Sequence, residues 1–415
     1  MRILIISRSF PSDFHTKVHG AFQRLRMFVD SAKEMAEIDL LFYVSPEFAL
    51  DVSYVKDIQQ SFLEYWNVRL TLFLCPSRKY PAASTQTGKL LNYLRESLGF
   101  FNQPGYYEIS GQQQVDAFEA CLNRSPDAII VDRLQAMCPL LKSTRMLPPV
   151  FLNLDDIDHV ALIRTARSKP LWRSRFLLYL RIPMVVWAER QAIRLSRHTF
   201  VCSDVDRRYL RQYWRLPNVV TIPNAVTMPT LYPLADEPTL LFIGSYTYWP
   251  NIEAAEFLLE HIWPHVQQEM PHAQLIIAGA NPERVNGYTS HGTNIEFPGF
   301  VEDLEGLYRR SRVVCAPILT GAGTRVKIVE AAAYGKPIVA TRIGAEGIEL
   351  CDGRDILLRD TAASIAEGCL SLLQDKSLSD QLGANARAQA VRCYDRSHVM
   401  HRIRSYLAHN DGDAG

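Results

Sequence analysis

Gly321-Ala-Gly-Thr-Arg-Val-Lys-Ile-Val-Glu-Ala-Ala-Ala-Tyr-Gly-Lys-Pro337 decides the fold of this chain. The apolar run Val313–Ala316 precedes it and reads as a strand. A glycine-rich turn then opens a helix, Gly335 and Pro337 close it, and Ile338–Ala340 begins the next strand. Free N–H groups and the positive dipole end make a helix N-terminus a natural seat for phosphate. Gly321 and Gly323 let a backbone approach closely, and Thr324 can cap the helix. Arg325 and Lys327 are the expected diphosphate clamp, since cations at a helix start run against the dipole and need another reason to be there. Glu330, one to two turns deeper and followed by three alanines, is the expected partner of ribose hydroxyls. A P-loop is excluded because the Gly-Lys-Ser/Thr ending is missing.

The pattern continues on both sides of this run. Apolar segments at 3–6, 38–44, 69–74, 128–131, 150–154, 198–202 and 219–222 alternate with helical periods, as in a parallel α/β sheet. Pro223–Pro238 holds four prolines and reads as a linker. The pattern then restarts with strands at 239–243, 274–278, 312–316 and 337–341 and helices at 361–374, 376–392 and 396–409. Two strand-first halves imply two Rossmann-like domains facing across a cleft, with ligands at the carboxyl ends of the strands.

The 415 residues suit about two domains, and 47% hydrophobic with 21% charged is ordinary globular composition. A net charge of +1 excludes a simple electrostatic nucleic-acid binder, so no nucleic-acid partner is expected. Residues 1–222 carry +8 and residues 223–415 carry −7, which makes the first half the better match for an anionic partner. Eight cysteines without a CxxC pair read as buried thiols in a reducing compartment. The short apolar N-terminus reads as a strand rather than a signal peptide, and no stretch is long enough to span a bilayer; the expected location is cytoplasmic.

An ordered series of pieces resembles the donor domain of GT-B glycosyltransferases, in particular glycosyltransferase family 4, the group 1 enzymes. They are Val201–Asp204, Ile222–Asn224, Phe242–Gly244, Ile277–Gly279, Pro298–Asp303, the run at 321–337, and Gly344–Gly347. The resemblance implies an α/β GT-B fold: an acceptor domain at 1–222, a linker at 223–238, a donor domain at 239–395, and a helix at 396–415 crossing back. It also implies retaining transfer of a hexose from a nucleoside diphosphate sugar to a glycan or lipid-linked acceptor, as in polysaccharide biosynthesis. No cofactor and no metal are required; UDP is the default donor base and GDP stays open. Gly244, Val301 and Glu302 fall at donor-contacting positions, and Gly20 closes the first loop, whose Ser7, Arg8 and Ser9 reach toward diphosphate. Two positions depart from the family pattern. Ala322 stands where a first glutamate is common, and Gly244–Asn251 lacks the usual Arg and Lys, leaving Arg325 and Lys327 to meet the phosphate charge.

Asp155, Asp156, Asp158 and His159 close the strand at 150–154 and are expected to face the acceptor, with Asp156 and His159 nearest the chemistry and Arg24 an acceptor contact. Their other readings are helix capping and a DxD-type metal site, and the donor-domain series argues against the metal. The segment 164–197 carries nine Arg or Lys against one acid, interleaved with aromatics, and reads either as packed helices or as a stretch lying on an anionic membrane surface. Two rival functions share the fold: a sugar-nucleotide epimerase, whose histidine-rich signature is not evident, and a catalytically silent GT-B partner subunit, prompted by Ala322.

Overall fold

The computed structural model describes residues 1–10, 20–48, 52–66, 70–168, 176, 178–289, 292, 294–321 and 323–408. The chain divides into two compact units: Met1–Ile222 with the chain from Met400 onward, and Pro223–Val399.

In the first unit, β1 (Arg2–Ser7), β2 (Glu37–Val44), β3 (Leu70–Pro76), β4 (Ala128–Asp132), β5 (Val150–Leu154), β6 (His198–Val201) and β7 (Val219–Thr221) form one sheet. Its order is β3-β2-β1-β4-β5-β6-β7, and every pairing is parallel. The strands are continuous apolar runs because helices cover both faces; β4 and β5 are buried at every residue. The second unit pairs β8 (Thr239–Ile243), β9 (Gln274–Ala278), β10 (Ile295–Gly299), β11 (Val313–Ala316), β12 (Ile338–Ala340) and β13 (Leu357–Leu358) in the order β10-β9-β8-β11-β12-β13, again all parallel.

The strand order reverses between β1 and β4 in one sheet and between β8 and β11 in the other. Connections leave such a pair in opposite directions and open a crevice at the carboxyl edge. The loops after β8 and β11 are Gly244–Tyr248, which leads into the helix Trp249–Phe257, and the stretch leading to Arg325, so topology alone places both at the carboxyl edge of the second unit's sheet.

The stretch read as a linker is bonded into the second unit. Val226 bridges Asp395, Arg387 Nη2 donates to Pro229 O at 3.0 Å, and Tyr232 Oη donates to Glu305 at 2.6 Å. Its last proline extends the sheet ladder, with the Pro238 carbonyl accepting from Gln274 N at 3.0 Å. The last helix, Arg396–Ala408, reaches the first unit from Met400. There Arg402 donates to Thr221 O at 2.7 Å, and Tyr406 lies 5.1 Å from the His198 ring. Among the described residues, no helix is long and apolar enough to cross a membrane. All eight cysteines are free thiols, six of them buried.

Candidate active site

The helix of the Gly321–Pro337 run spans Val326–Ala333, and its N-cap is Arg325, whose side chain makes no cap bond. Thr324 does not cap, contrary to the sequence reading. Its hydroxyl instead accepts from Asn224 Nδ2 at 2.8 Å, tying the loop to the Ile222-Pro-Asn224 triplet. Gly321 and Gly323 have φ of 106° and 77°, conformations that side chains with a Cβ rarely adopt. A Cβ at Gly321 would lie 2.9 Å from Arg325 Nη2 and 3.0 Å from Tyr248 Oη, both ends of flexible side chains, so the positive φ is the stronger demand for glycine there. The helix ends in a Schellman motif. Gly335 (φ 66°) and Lys336 return their N–H groups to Ala332 O and Ala331 O, each at 2.9 Å.

Arg325 folds back on the loop, donating to Gly323 O at 2.8 Å and Thr320 O at 3.3 Å. Lys327 donates to Asn251 Oδ1 at 2.7 Å and stands 4.4 Å from the Phe242 ring centre. Burial and the neighbouring Arg325 push its ammonium down to about 7, against the pull of Glu330. Glu330 is half-buried, and among the described residues its carboxylate has no hydrogen bond or ion pair. Burial pushes it up to about 7, despite Lys327. Such a group is costly to keep and gains most from a ligand that supplies hydroxyl donors.

The facing wall is made of glycines at strand ends. A Cβ on Gly279 (φ 143°) would fall 1.7 Å from Gly244 O, and Gly279 N donates to Gly299 O at 2.8 Å. Asn251 packs over Gly244, where a Cβ would meet its Cγ at 2.8 Å. Val301 packs with Ile243 and Tyr334 on the core beneath. Glu302 is exposed, while Asp303 caps the helix Leu304–Arg309 by accepting from Gly306 N at 2.8 Å. The Lys327–Asn251 bond and the Gly321 and Gly244 contacts thus bring the start of the helix Val326–Ala333 beside the segment that follows β8, with Glu330 one turn further along that helix. Ala322 lies outside the described residues.

The N-terminal candidates divide differently. Asp155 accepts from Arg133 Nη2 at 2.6 Å and lies 3.8 Å from Arg24 Nε; burial works to raise it, yet the two guanidiniums hold it below the usual carboxylate range. Asp158 accepts from Tyr106 Oη and is pushed up to about 6 by burial and by Glu189. Asp155, Asp156 and Asp158 line a small cavity with Arg133, Leu134 and Gln135. His159 is a correction. It is 2% exposed, its Nδ1 meets Glu189 at 2.5 Å, its Nε2 meets Tyr209 Oη at 2.8 Å, and Trp214 stacks on it at 4.7 Å. With both nitrogens engaged inside the core it has none to offer a substrate. Arg24 is likewise 3% exposed, donating to Asn153 Oδ1 at 2.7 Å and Ile222 O at 2.9 Å, and so braces the sheet rather than touching an acceptor. Among the described residues no group of three or more His, Cys, Asp or Glu can hold a metal. Gly20 opens the helix Gly20–Ala32, but residues 11–19 of its loop lie outside the described residues.

Sequence reasoning missed Asp132, Arg133 and Asn153. Buried Asp132 accepts from Ser7 Oγ at 2.7 Å and Asn153 Nδ2 at 2.8 Å, and Arg133 adopts a φ of 71°. A polar residue closing an apolar strand at the switch point was the available signal. Also missed was a cavity of about 620 Å³ at the carboxyl ends of β1–β3, lined by Arg8, Ser45, Glu47, Arg78, Lys79 and Tyr80 among others.

Residues 237–375 match the family described as glycosyl transferases, group 1. A phosphatidyl-myo-inositol mannosyltransferase of Mycobacterium tuberculosis (strain H37Rv) is 30% identical over 274 residues, covering 61% of this chain and 68% of that protein. Its counterpart in Mycobacterium leprae is 30% identical over 260 residues, covering 59% and 65%; the chain thus spans just under two thirds of that relative. Among solved structures, sucrose-phosphate synthase from Thermosynechococcus elongatus superposes with a TM-score of 0.69 at 16% identity, covering 98% of each chain. Anabaena HepE in complex with UDP and glucose gives 0.64 at 15%, covering 98% of this chain and 99% of that one. The two parallel sheets and these neighbours define a GT-B protein. The chain belongs to the group 1 glycosyltransferases, glycosyltransferase family 4.

Proposed function

We propose that this protein transfers a hexosyl group, with retention, from a nucleoside diphosphate sugar held by the second unit to an acceptor held by the first. The observation that carries the reading is the Glu330 carboxylate, half-buried and without a partner among the described residues, one turn from the buried ammonium of Lys327. Glu330 takes the ribose hydroxyls. Arg325, Lys327 and the backbone of Gly321–Thr324 take the diphosphate. As the bond between sugar C1 and the phosphate oxygen breaks, negative charge grows on the leaving diphosphate, and the two cations stabilise it. The acceptor oxygen bonds to C1 and its proton passes to a leaving phosphate oxygen, so no strong protein base is required. This fits a site in which His159 is sealed away, and leaves Asp155, Asp156 and Asp158 to orient the acceptor.

The mycobacterial relatives, named for mannosyl transfer to phosphatidyl-myo-inositol, support a hexose donor and a lipid acceptor. The UDP and glucose in Anabaena HepE support a UDP-sugar, with GDP-sugars the alternative. A cytoplasmic enzyme of polysaccharide assembly, peripheral on the membrane, is part of the proposal. Thermal-shift titrations with UDP, GDP, ADP and their sugars test the donor reading, since a ligand of the native state raises Tm. Stabilisation by one nucleoside diphosphate, abolished in Glu330→Ala, is expected. No shift with any of them would overturn it.

A further inference from the structure

The sequence directs attention to 164–197 as a membrane-facing segment, but the geometry points to another element. We propose that the helix Gln86–Leu98 is the part of the first unit that enters an anionic phospholipid bilayer, leucine side first. It rests on the membrane-peripheral part of the proposed function and names the element responsible, independently of sugar transfer.

A surface helix of a globular protein ordinarily turns its apolar stripe inward. This one is turned the other way. Leu90, Leu91, Leu94 and Leu98 share one face and are 58%, 73%, 48% and 80% exposed. Three of its polar side chains turn toward the protein, while Gln86, Thr87 and Lys89 stay exposed. Glu96 is 5% exposed and is held by Tyr80 Oη and Arg181 Nη2. Asn92 Nδ2 donates to Pro81 O at 2.9 Å, and the Arg95 guanidinium lies 4.8 Å from the Tyr107 ring. Leu91 and Leu98 therefore contribute little to the core that the helix packs on, and a contiguous exposed apolar face of this kind marks an interaction surface.

The patch continues across the Arg181–Glu96 ion pair. Arg181 stands 4.6 Å from the Tyr93 ring, and Phe176, Tyr179 and Leu180 just before it are 55%, 41% and 38% exposed. Aromatic residues beside leucines suit the headgroup boundary of a bilayer.

Charge selects the occupant. Residues 77–98 contain four cations and 159–198 contain nine, against one acid in each, Glu96 and Glu189. Both acids are buried, at 5% and 0% exposure. Among the described residues Lys79, Lys89, Arg167 and Arg194 are exposed cations, and the two segments expose no carboxylate. A second copy of this face would meet it with like charge and nothing to pair, whereas anionic headgroups complement it.

Flotation of the full chain with vesicles of phosphatidylcholine, with and without phosphatidylglycerol, tests this. Leu91→Gln with Leu98→Gln alters only exposed side chains and should lower partition onto the anionic vesicles about tenfold while leaving Tm and UDP binding unchanged. Leu94→Trp should show a blue-shifted emission, quenched by brominated acyl chains, on the same vesicles. Equal partition of wild type and the double variant would overturn the proposal, as would binding without quenching, which would leave only surface electrostatics. So would a dimer in light scattering that the double variant dissolves, which would make the face a self-association surface.

Discussion

Lys327 Nζ donates to Asn251 Oδ1 across 2.7 Å, joining the helix Val326–Ala333 to the first turn of the helix Trp249–Phe257 that follows β8. The segment Gly244–Asn251, a short loop and the first turn of that helix, lacks the cations that the family resemblance leads one to expect, and Lys327 brings one to it. Asn251 packs on Gly244, so the ammonium is aimed by a side chain that is itself held by backbone. The relationship yields tests that separate binding from folding.

Lys327 sits near 7 in the unliganded protein because burial and Arg325 disfavour its charge. A diphosphate restores the charge, so binding takes up a proton. Calorimetric titration of a nucleoside diphosphate at pH 8, in buffers of different ionisation enthalpy, should show proton uptake, and affinity should fall between pH 7 and pH 9. Lys327→Met should bind about 10–100-fold more weakly and lose the buffer dependence.

Glu330 is raised from its ordinary 4.5 to about 7. Its contribution to stability is therefore complete below pH 4.5 and is lost as pH rises through about 7. Glu330→Gln should melt at a higher temperature than wild type at pH 8 and show no such gain at pH 4.5, by differential scanning calorimetry. The same variant should weaken nucleoside diphosphate binding about tenfold and leave inorganic pyrophosphate binding alone.

The 1.7 Å separation between a Cβ on Gly279 and Gly244 O leaves no rotamer to relieve the clash. Gly279→Ala should cost about 3 kcal/mol, seen in urea unfolding, because β8 and β9 must part at their carboxyl ends. Gly353→Ala makes a useful control. It shares a positive φ (74°) but has nothing within 4 Å of its Cβ position, so its cost should stay near that of backbone strain, about 1–2 kcal/mol.

His159→Gln should lower stability by about 3 kcal/mol, since Glu189 is fully buried and loses its partner. The kcat of the folded fraction should change less than about threefold. A loss of kcat by orders of magnitude at unchanged Tm would return the histidine to the chemistry.

Much of this was legible in the chain. The parallel α/β pattern is written in uninterrupted apolar runs such as Ile3–Ile6 and Ile129–Val131, because strands buried on both faces can contain little else. The phosphate loop is equally plain, since a positive φ at Gly321 and Gly323 demands glycine and leaves a mark in the sequence. His159 was not legible. Asp155-Asp156-Ile-Asp158-His159 looks like a functional cluster whichever way each side chain turns, and the helix beginning at Asp158 sends His159 toward Glu189, thirty residues away. The helix Gln86–Leu98 was missed for a related reason: a helical period marks an apolar face but not which way that face is turned.

The sequence by itself determined what local rules encode: strand and helix order, the glycine loop, and the family resemblance that its motifs carry. Only the tertiary structure decided burial and company. Among the described residues it left Glu330 without a partner, lowered Lys327, sealed His159 and Arg24, and turned four leucines to solvent. The physical reason is that desolvation and charge pairing depend on neighbours brought together by the fold, and those distances have no counterpart in residue spacing.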